Sequence, residues 1–194
     1  MRLIGICGRS GCGKSVFCDI AREKGFVIID CDKVYKEMVS CPSECLNELE
    51  RAFGNEIIAE NSLNRRVLAD IVFSNPEKLA LLNEITHKHI TKRVDEIISL
   101  CPEESTVLLD APTLFESGMS DRCEKIVAIT ASDEVCISRI TERDNITEDK
   151  AKQRLSNQKS AEFLIENCDI IIYNETSLQD FENAANEVLT ELML

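Results

Sequence analysis

The residues best suited to chemistry form a glycine-rich loop near the start of the chain. They have the spacing G-x-x-x-x-G-K-S and read Gly8-Arg9-Ser10-Gly11-Cys12-Gly13-Lys14-Ser15. Glycines at such positions let the backbone turn tightly and point several N–H groups at one anion. In this pattern Lys14 reaches the β- and γ-phosphates of a nucleotide, and the Ser15 hydroxyl ligates the Mg²⁺ that bridges them. The loop therefore predicts a binding site for a nucleoside triphosphate.

The segments on either side of the glycine-rich loop must hold it in place. Residues 3–6 are an apolar run that predicts a buried strand, and residues 16–24 have helical spacing that ends at Gly25. A helix that starts near Lys14 adds the positive end of its dipole to the loop. The order strand, glycine-rich loop, helix is the context in which this motif binds phosphate.

Two further predicted strands end in carboxylates. Residues 26–29 are followed by Asp30 and Asp32, and residues 106–109 are followed by Asp110. Ligands bind beyond the carboxyl ends of strands in open α/β sheets, so these side chains are candidate functional groups, and Asp110 is a candidate for the magnesium shell. Each carboxylate also has a structural interpretation. One of the first two suits the N-cap of the next helix, and Asp110 suits a cap of the turn after it.

The segment from residue 40 to residue 101 shows helical periodicity and no convincing strand. It separates the second predicted strand from the strand that ends at Asp110. We therefore predict one domain, residues 1–194, with a core of about residues 1–32 and 104–194 and a helical insertion of about residues 33–103. The strands of the core predict a parallel sheet flanked by helices.

Two arginines mark a candidate lid of about residues 139–158. Arg139 and Arg143 are four residues apart in a predicted helix, so both project from one face and repel each other. Acidic neighbours such as Asp144 compensate this repulsion if the face is merely solvated. If the helix closes over a triphosphate, the arginines instead stabilise the phosphoryl group in transfer.

Composition limits the possible partners. The chain has 194 residues and a formal net charge of −13, which argues against binding to nucleic acid or to an anionic membrane surface. It contains no apolar run of about 18 residues. The ten cysteines are spread from Cys7 to Cys168 and predict reduced thiols. We expect a cytoplasmic protein with small-molecule partners, either a monomer or a weak homo-oligomer.

Several motifs, in one order along almost the whole chain, resemble the dephospho-CoA kinase family. The matching segments are Gly8 to Ser15, Asp30-Cys31-Asp32, Phe53-Gly54, Arg65 with Leu68 and Val72-Phe73, Leu82-Asn83 through His87, Asp110-Ala111-Pro112-Thr113-Leu114-Phe115-Glu116, Arg139 with Arg143-Asp144, Gln158, and Cys168-Asp169 through Asn174. The resemblance implies a P-loop kinase fold with a parallel five-stranded sheet. It also implies transfer of the ATP γ-phosphoryl group to the ribose 3′-hydroxyl of dephospho-CoA.

The resemblance also implies roles for individual residues. Asp32 is the implied catalytic base, and the other catalytic residues are Lys14, Arg139 and Arg143. The implied ATP site comprises Gly8, Gly11, Cys12, Gly13, Lys14, Ser15, Val16 and Asn174. The implied acceptor site comprises Asp32, Arg65, His87 and Leu114, and the implied Mg²⁺ ligands are Ser15 and Asp110.

The chain departs from the family pattern at a few positions. Lys88 replaces the proline after the histidine, Thr113 replaces a leucine, and Leu164 replaces a lysine. The glycine-rich loop also carries Arg9 and Cys12 where small or apolar residues are usual. These changes spare the implied catalytic residues but put the affinity for the acceptor in question.

Two other functions fit a phosphate-binding loop. One is a kinase for another small acceptor, such as a nucleoside or a nucleoside monophosphate. The other is a non-catalytic nucleotide switch, against which the chain has no N-K-x-D guanine motif and no D-x-x-G after Asp110.

Overall fold

The structure of the chain is a computed structural model that describes residues 1–193. These residues divide into two compact units, one of residues 1–29 and 101–193 and one of residues 30–100. In chain order the elements are β1 (Arg2–Gly8), α1 (Lys14–Glu23), β2 (Val27–Asp30), α2 (Cys31–Met38), α3 (Glu44–Phe53), a 3₁₀ turn (Asn55–Ile57), β3 (Ile58–Ala59), β4 (Ser62–Leu63), α4 (Arg65–Val72), α5 (Pro76–Ser99), β5 (Thr106–Asp110), a 3₁₀ turn (Met119–Arg122), β6 (Lys125–Thr130), α6 (Asp133–Asp144), α7 (Glu148–Ser156), α8 (Ala161–Asn167), β7 (Ile170–Tyr173) and α9 (Leu178–Leu192).

The first unit is built on the predicted five-stranded sheet, whose strand order is β2-β5-β1-β6-β7. Strand β1 pairs in parallel with β5 and with β6, and β6 pairs in parallel with β7. The central strands are continuous apolar runs because helices cover them, so Ile4, Ile6, Leu108, Val127 and Ile129 have no exposed surface. The predicted P-loop kinase architecture is confirmed.

Strand order and register fix which side chains meet at the carboxyl ends of the strands. Residue Ile6 of β1 lies opposite Asp110 of β5, and Gly8 lies opposite Ile129 of β6. The start of the glycine-rich loop and the carboxylate that ends β5 therefore lie at the carboxyl ends of neighbouring parallel strands. The register brings Asp110 to the loop.

The second unit is mainly helical and has its own apolar core. Helix α3 contributes Leu46, Leu49 and Phe53 to this core, and α4 and α5 contribute Leu68 and Ile85. Ser43 caps α3 by accepting a hydrogen bond from the N–H of Leu46 at 3.0 Å.

One prediction for this region is wrong, because residues 40–101 contain a short β-hairpin. Strands β3 and β4 pair antiparallel, with Ile58 opposite Leu63 and Ala59 opposite Ser62. Glu60 and Asn61 form the turn with φ of 48° and 61°. Positive φ at both central residues is the signature of a tight hairpin turn, which usually contains glycine. Glycine is absent here, so the sequence gives no clear hairpin signal.

Within residues 1–193, every helix is too short or too polar to span a bilayer.

Candidate active site

The glycine-rich loop connects β1 to α1, and its glycines adopt backbone angles that other residues rarely take. Gly11 has φ of 80° and Gly13 has φ of 103°. A Cβ atom on Gly11 would lie 2.7 Å from the carbonyl oxygen of Cys136, and one on Gly13 would lie 2.3 Å from Nδ2 of Asn174. Both the conformation and the surrounding atoms therefore require glycine. Gly13 forms the N-cap of α1 without a side-chain cap, so the first N–H groups of the helix point into the loop.

Lys14 and Asp110 form an ion pair at the centre of the site. Their side chains are only 18% and 16% exposed. Burial favours a neutral amine, but the attraction and the hydrogen bond of Asp110 outweigh burial, so the pKa of Lys14 is raised. The second carboxylate oxygen of Asp110 lies 3.8 Å from the Cys18 thiol. Asp110 therefore holds the lysine of the motif, a contact that the sequence did not predict.

Asn174 ties the glycine-rich loop to the end of β7. Its side chain is buried, and Nδ2 donates to the carbonyl oxygen of Cys12 at 2.9 Å. Arg139 of α6 donates to Oδ1 of Asn174 at 3.2 Å and to its carbonyl oxygen at 3.1 Å. The same guanidinium lies 3.4 Å from the carbonyl oxygen of Gly11. Two residues that the family resemblance placed in the site thus meet at the loop.

The tip of the glycine-rich loop has two further contacts. Arg9 forms an ion pair with Asp133 at the start of α6, and its Nη1 lies 2.5 Å from Oδ1 of Asp133. The N–H of Ser10 donates to Oε1 of Gln158 at 3.0 Å, and Nε2 of Gln158 donates to the Ser10 hydroxyl at 3.1 Å. Gln158 follows α7, so the segment after helices α6 and α7 contacts the glycine-rich loop. Nothing in its local spacing indicated this contact.

Arg143 has different partners from Arg139, although the two share a helix. It donates to both carboxylate oxygens of Asp144, at 2.7 Å and 2.9 Å, and Arg154 of α7 binds the same carboxylate. The hydrogen bonds from Arg143 and Arg154 hold the pKa of Asp144 well below its usual range. Arg143 is exposed. The charge compensation by Asp144 that the sequence suggested is present for Arg143.

The second unit contains three of the implied site residues, Asp32, Arg65 and His87, together with the candidate carboxylate Asp30. Asp30 is the N-cap of α2, where its Oδ1 accepts from the N–H of Lys33 at 2.9 Å, so the capping interpretation is confirmed for Asp30. Asp32 lies exposed in the first turn of α2. Arg65 is exposed at the start of α4, and His87 is half-buried in α5.

Lys88, which stands where the family has proline, forms an ion pair within the second unit. Its ammonium contacts both carboxylate oxygens of Glu48, at 2.5 Å and 2.6 Å. The buried ring of His89 lies 2.7 Å from the same carboxylate. These contacts join α5 to α3, so Lys88 serves the packing of two helices.

Burial limits what two of the predicted site residues contribute. Leu114 is 1% exposed and lies against Gly5, where a Cβ atom would be 2.8 Å from its Cδ2. Cys12 has no exposed surface, although its carbonyl oxygen binds Asn174. Both residues belong to the core, so neither side chain offers a surface to a ligand. Ser15 is exposed and Val16 half-buried in the first turn of α1.

Residues 2–180 match the family model described as dephospho-CoA kinase. The chain belongs to the dephospho-CoA kinase family. It is 35% identical to the dephospho-CoA kinase of Fusobacterium nucleatum over 92% of each chain. A solved structure from Thermus thermophilus superposes with a TM-score of 0.85 and 30% identity, covering 98% of this chain and 97% of that one. The dephospho-CoA kinase of Campylobacter jejuni gives a TM-score of 0.74 at 28% identity, covering 100% and 98%.

Membership of the dephospho-CoA kinase family makes this chain a kinase with ATP as a substrate.

Proposed function

We propose that this chain transfers the γ-phosphoryl group of ATP to the ribose 3′-hydroxyl of dephospho-CoA, which gives coenzyme A and ADP. The observation that carries the proposal is the Lys14–Asp110 pair beside a glycine-rich loop that Asn174 and Arg139 hold in shape. A fixed loop with a largely buried lysine suits phosphoryl transfer, since this reaction depends on positioning and charge stabilisation. Membership of the dephospho-CoA kinase family identifies the acceptor.

In the proposed reaction, Lys14 exchanges its partner. Its ammonium leaves Asp110 and binds the β- and γ-phosphates, while the N–H groups of the loop and of α1 bind the phosphate oxygens. The acceptor oxygen attacks the γ-phosphorus, and the bond from that phosphorus to the β–γ bridging oxygen breaks. Lys14 stabilises the negative charge that builds up on ADP as the bond stretches.

Asp32 is the proposed base that takes the proton of the acceptor hydroxyl. Its neighbour Asp30 already serves as the N-cap of α2, whereas Asp32 is exposed in the first turn of that helix. We further propose that Arg65 and His87 bind the acceptor and that Arg143 moves from Asp144 to the transferred phosphoryl group when the lid closes.

The residues that are present fit Mg²⁺. The Ser15 hydroxyl and the Asp110 carboxylate are hard oxygen donors, and Mg²⁺ commonly takes one or two protein oxygens together with substrate phosphates. Ser15 and Asp110 would hold the ion, which would neutralise charge on the phosphate oxygens when bound. We also propose a cytoplasmic location, since the chain acts on small cytoplasmic metabolites in this assignment.

An acceptor assay with coupled ADP detection tests the function. We expect ADP release with ATP and dephospho-CoA, and coenzyme A as the second product. ADP release that requires a nucleoside or a nucleoside monophosphate instead would contradict the assignment. ATP binding without turnover on any acceptor would favour a non-catalytic nucleotide switch.

A pair of variants tests the base. Asp32→Asn keeps the shape of the side chain but removes its basicity, so we expect kcat to fall by about 10²-fold or more with ATP binding retained. Asp30→Asn is the matched control, because asparagine caps a helix as well as aspartate does. Equal losses in the two variants, or a larger loss in Asp30→Asn, would remove Asp32 from this role.

A further inference from the structure

Two thiols lie in contact beside the glycine-rich loop. The Sγ atoms of Cys7 and Cys168 are 3.4 Å apart, although the residues are separated by most of the chain. Cys7 is the residue of β1 directly before Gly8, and Cys168 forms the C-cap of α8. Cys7 is 4% exposed, whereas Cys168 is half-buried. Cys168 is therefore the more accessible residue of the pair, and its sulfur is in contact with that of the buried Cys7.

The backbone, rather than side-chain rotation alone, brings the two thiols together. Cys7 lies opposite Ala128 in the ladder between β1 and β6. The residue after Cys168 is anchored to the same strand β6, since the N–H of Asp169 donates to the carbonyl oxygen of Ile126 at 2.9 Å. The N–H of Ile126 in turn donates to Oδ2 of Asp169 at 2.7 Å. Strand β6 thus serves as a common frame for both cysteines.

We propose that Cys7 and Cys168 form a site of reversible oxidation, at which a small-molecule disulfide converts the two thiols into an intramolecular disulfide. The proposal does not depend on the kinase activity. It identifies a modification site on the strand that leads into the glycine-rich loop.

The order of the two steps follows from access and charge. The hydrogen bond between the two thiols lowers the pKa of Cys168 and raises that of Cys7, whose pKa burial raises further. The Cys168 thiolate attacks one sulfur of the reagent, forms a mixed disulfide and releases one thiolate. Cys7 then attacks the sulfur of Cys168, which forms the internal disulfide, breaks the bond to the reagent sulfur and releases the second thiolate, which takes the Cys7 proton. The two protein thiols are oxidised and one reagent disulfide is reduced to two thiols.

The structure also indicates which side moves when the bond forms. A disulfide has a sulfur–sulfur distance of about 2.05 Å, so the two atoms must approach by roughly 1.3 Å. Cys7 has little freedom, because it lies within β1, opposite Ala128 of β6, and is 4% exposed. Cys168 lies between α8 and β7, outside both elements. The shift therefore falls on the α8–β7 connection.

Peptide mass spectrometry of the full chain tests the site. The protein is incubated with oxidised glutathione, quenched with acid, alkylated, digested and analysed without reduction. We expect a disulfide-linked pair of peptides that contain Cys7 and Cys168, and its complete loss after treatment with dithiothreitol. The readout uses no substrate, so failure of the proposed kinase function leaves it unaffected.

Single variants give the order of the steps. In Cys7→Ala, glutathione should remain attached to Cys168, because the second thiol is missing. In Cys168→Ser the cross-linked peptide should disappear. This variant serves if Cys7→Ala folds poorly, because Cys168 is half-buried and lies outside the neighbouring helix and strand. Cys41→Ala, at an exposed cysteine of the helical unit, is the control and should leave the cross-link unchanged. A mixed disulfide that persists on Cys168 in the unmodified chain, or a cross-link from Cys7 to another cysteine, would overturn the proposal.

Discussion

Replacing Asn174 with alanine perturbs the contact that holds the glycine-rich loop to β7. The change removes a neutral hydrogen bond to the carbonyl oxygen of Cys12 at 2.9 Å and a charged one from Arg139 at 3.2 Å. A neutral hydrogen bond contributes about 1 kcal/mol, and one to a charged group about 1.5–3 kcal/mol. The loss should therefore be about 3 kcal/mol. For a chain of this size, it lowers Tm by roughly 6–12 °C.

Thermal unfolding followed by circular dichroism measures this loss, and Asn183→Ala is the matched control. Asn183 is exposed on α9, where it accepts one hydrogen bond from Gln179 at 3.3 Å, so its replacement should change Tm little. We also expect Asn174→Ala to raise KM for ATP, because the carbonyl group of Cys12 is no longer held. A Tm loss below about 3 °C, or one equal to that of the control, would refute the reasoning about this contact.

Three further variants test other parts of the structure. Gly13→Ala should lower Tm and ATP affinity far more than Gly25→Ala, because both residues have positive φ but only Gly13 has a neighbour, Asn174, within 3 Å of the added Cβ; equal effects would assign the cost to the backbone alone. Asp144→Asn should lower Tm at neutral pH, and the difference in Tm from the unmodified chain should shrink below about pH 4. A carboxylate with a lowered pKa stabilises the folded chain above its unfolded pKa and loses that contribution as pH falls. A difference in Tm that is constant with pH would exclude the two arginine pairs as its source. Asp30→Ala should cost about 1 kcal/mol in urea unfolding through loss of the α2 cap, while Asp30→Asn should cost little; equal costs would argue against the cap.

Local sequence patterns predicted the elements with strong local signals. The apolar run at residues 106–109 predicts strand β5, and β6 and β7 are apolar runs of the same kind. Helix α9 has an apolar face with a clear helical period. Helix α8 was missed, although Ser160 caps it by accepting from the N–H of Phe163 at 3.2 Å, because the helix is only 7 residues long. A segment of that length gives too few turns for a helical period to show.

The glycine-rich loop was predicted from spacing, but its supporting contacts were not. The pairing of Lys14 with Asp110 depends on the register of β1 and β5, which local patterns do not contain. The hydrogen bond from Asn174 to Cys12 joins residues 162 positions apart. Arg139 and Arg143 have equivalent spacing, but Arg139 binds the distant Asn174 whereas Arg143 binds the adjacent Asp144. Long-range packing therefore decides how Lys14, Asn174 and Arg139 are held.

In the proposed mechanism, the Lys14–Asp110 pair makes nucleotide binding an exchange of anions. Before a phosphate can take the lysine, it must displace a carboxylate that is already part of the protein. Inorganic phosphate or sulfate offers only a few oxygens, and in a chain of net charge −13 it gains no general attraction. A triphosphate adds the contacts of several phosphates along the loop and can meet the cost of displacement. In this scheme the Asp110 carboxylate discriminates against small anions. It loses its contact with Lys14 at the same time as the nucleotide binds.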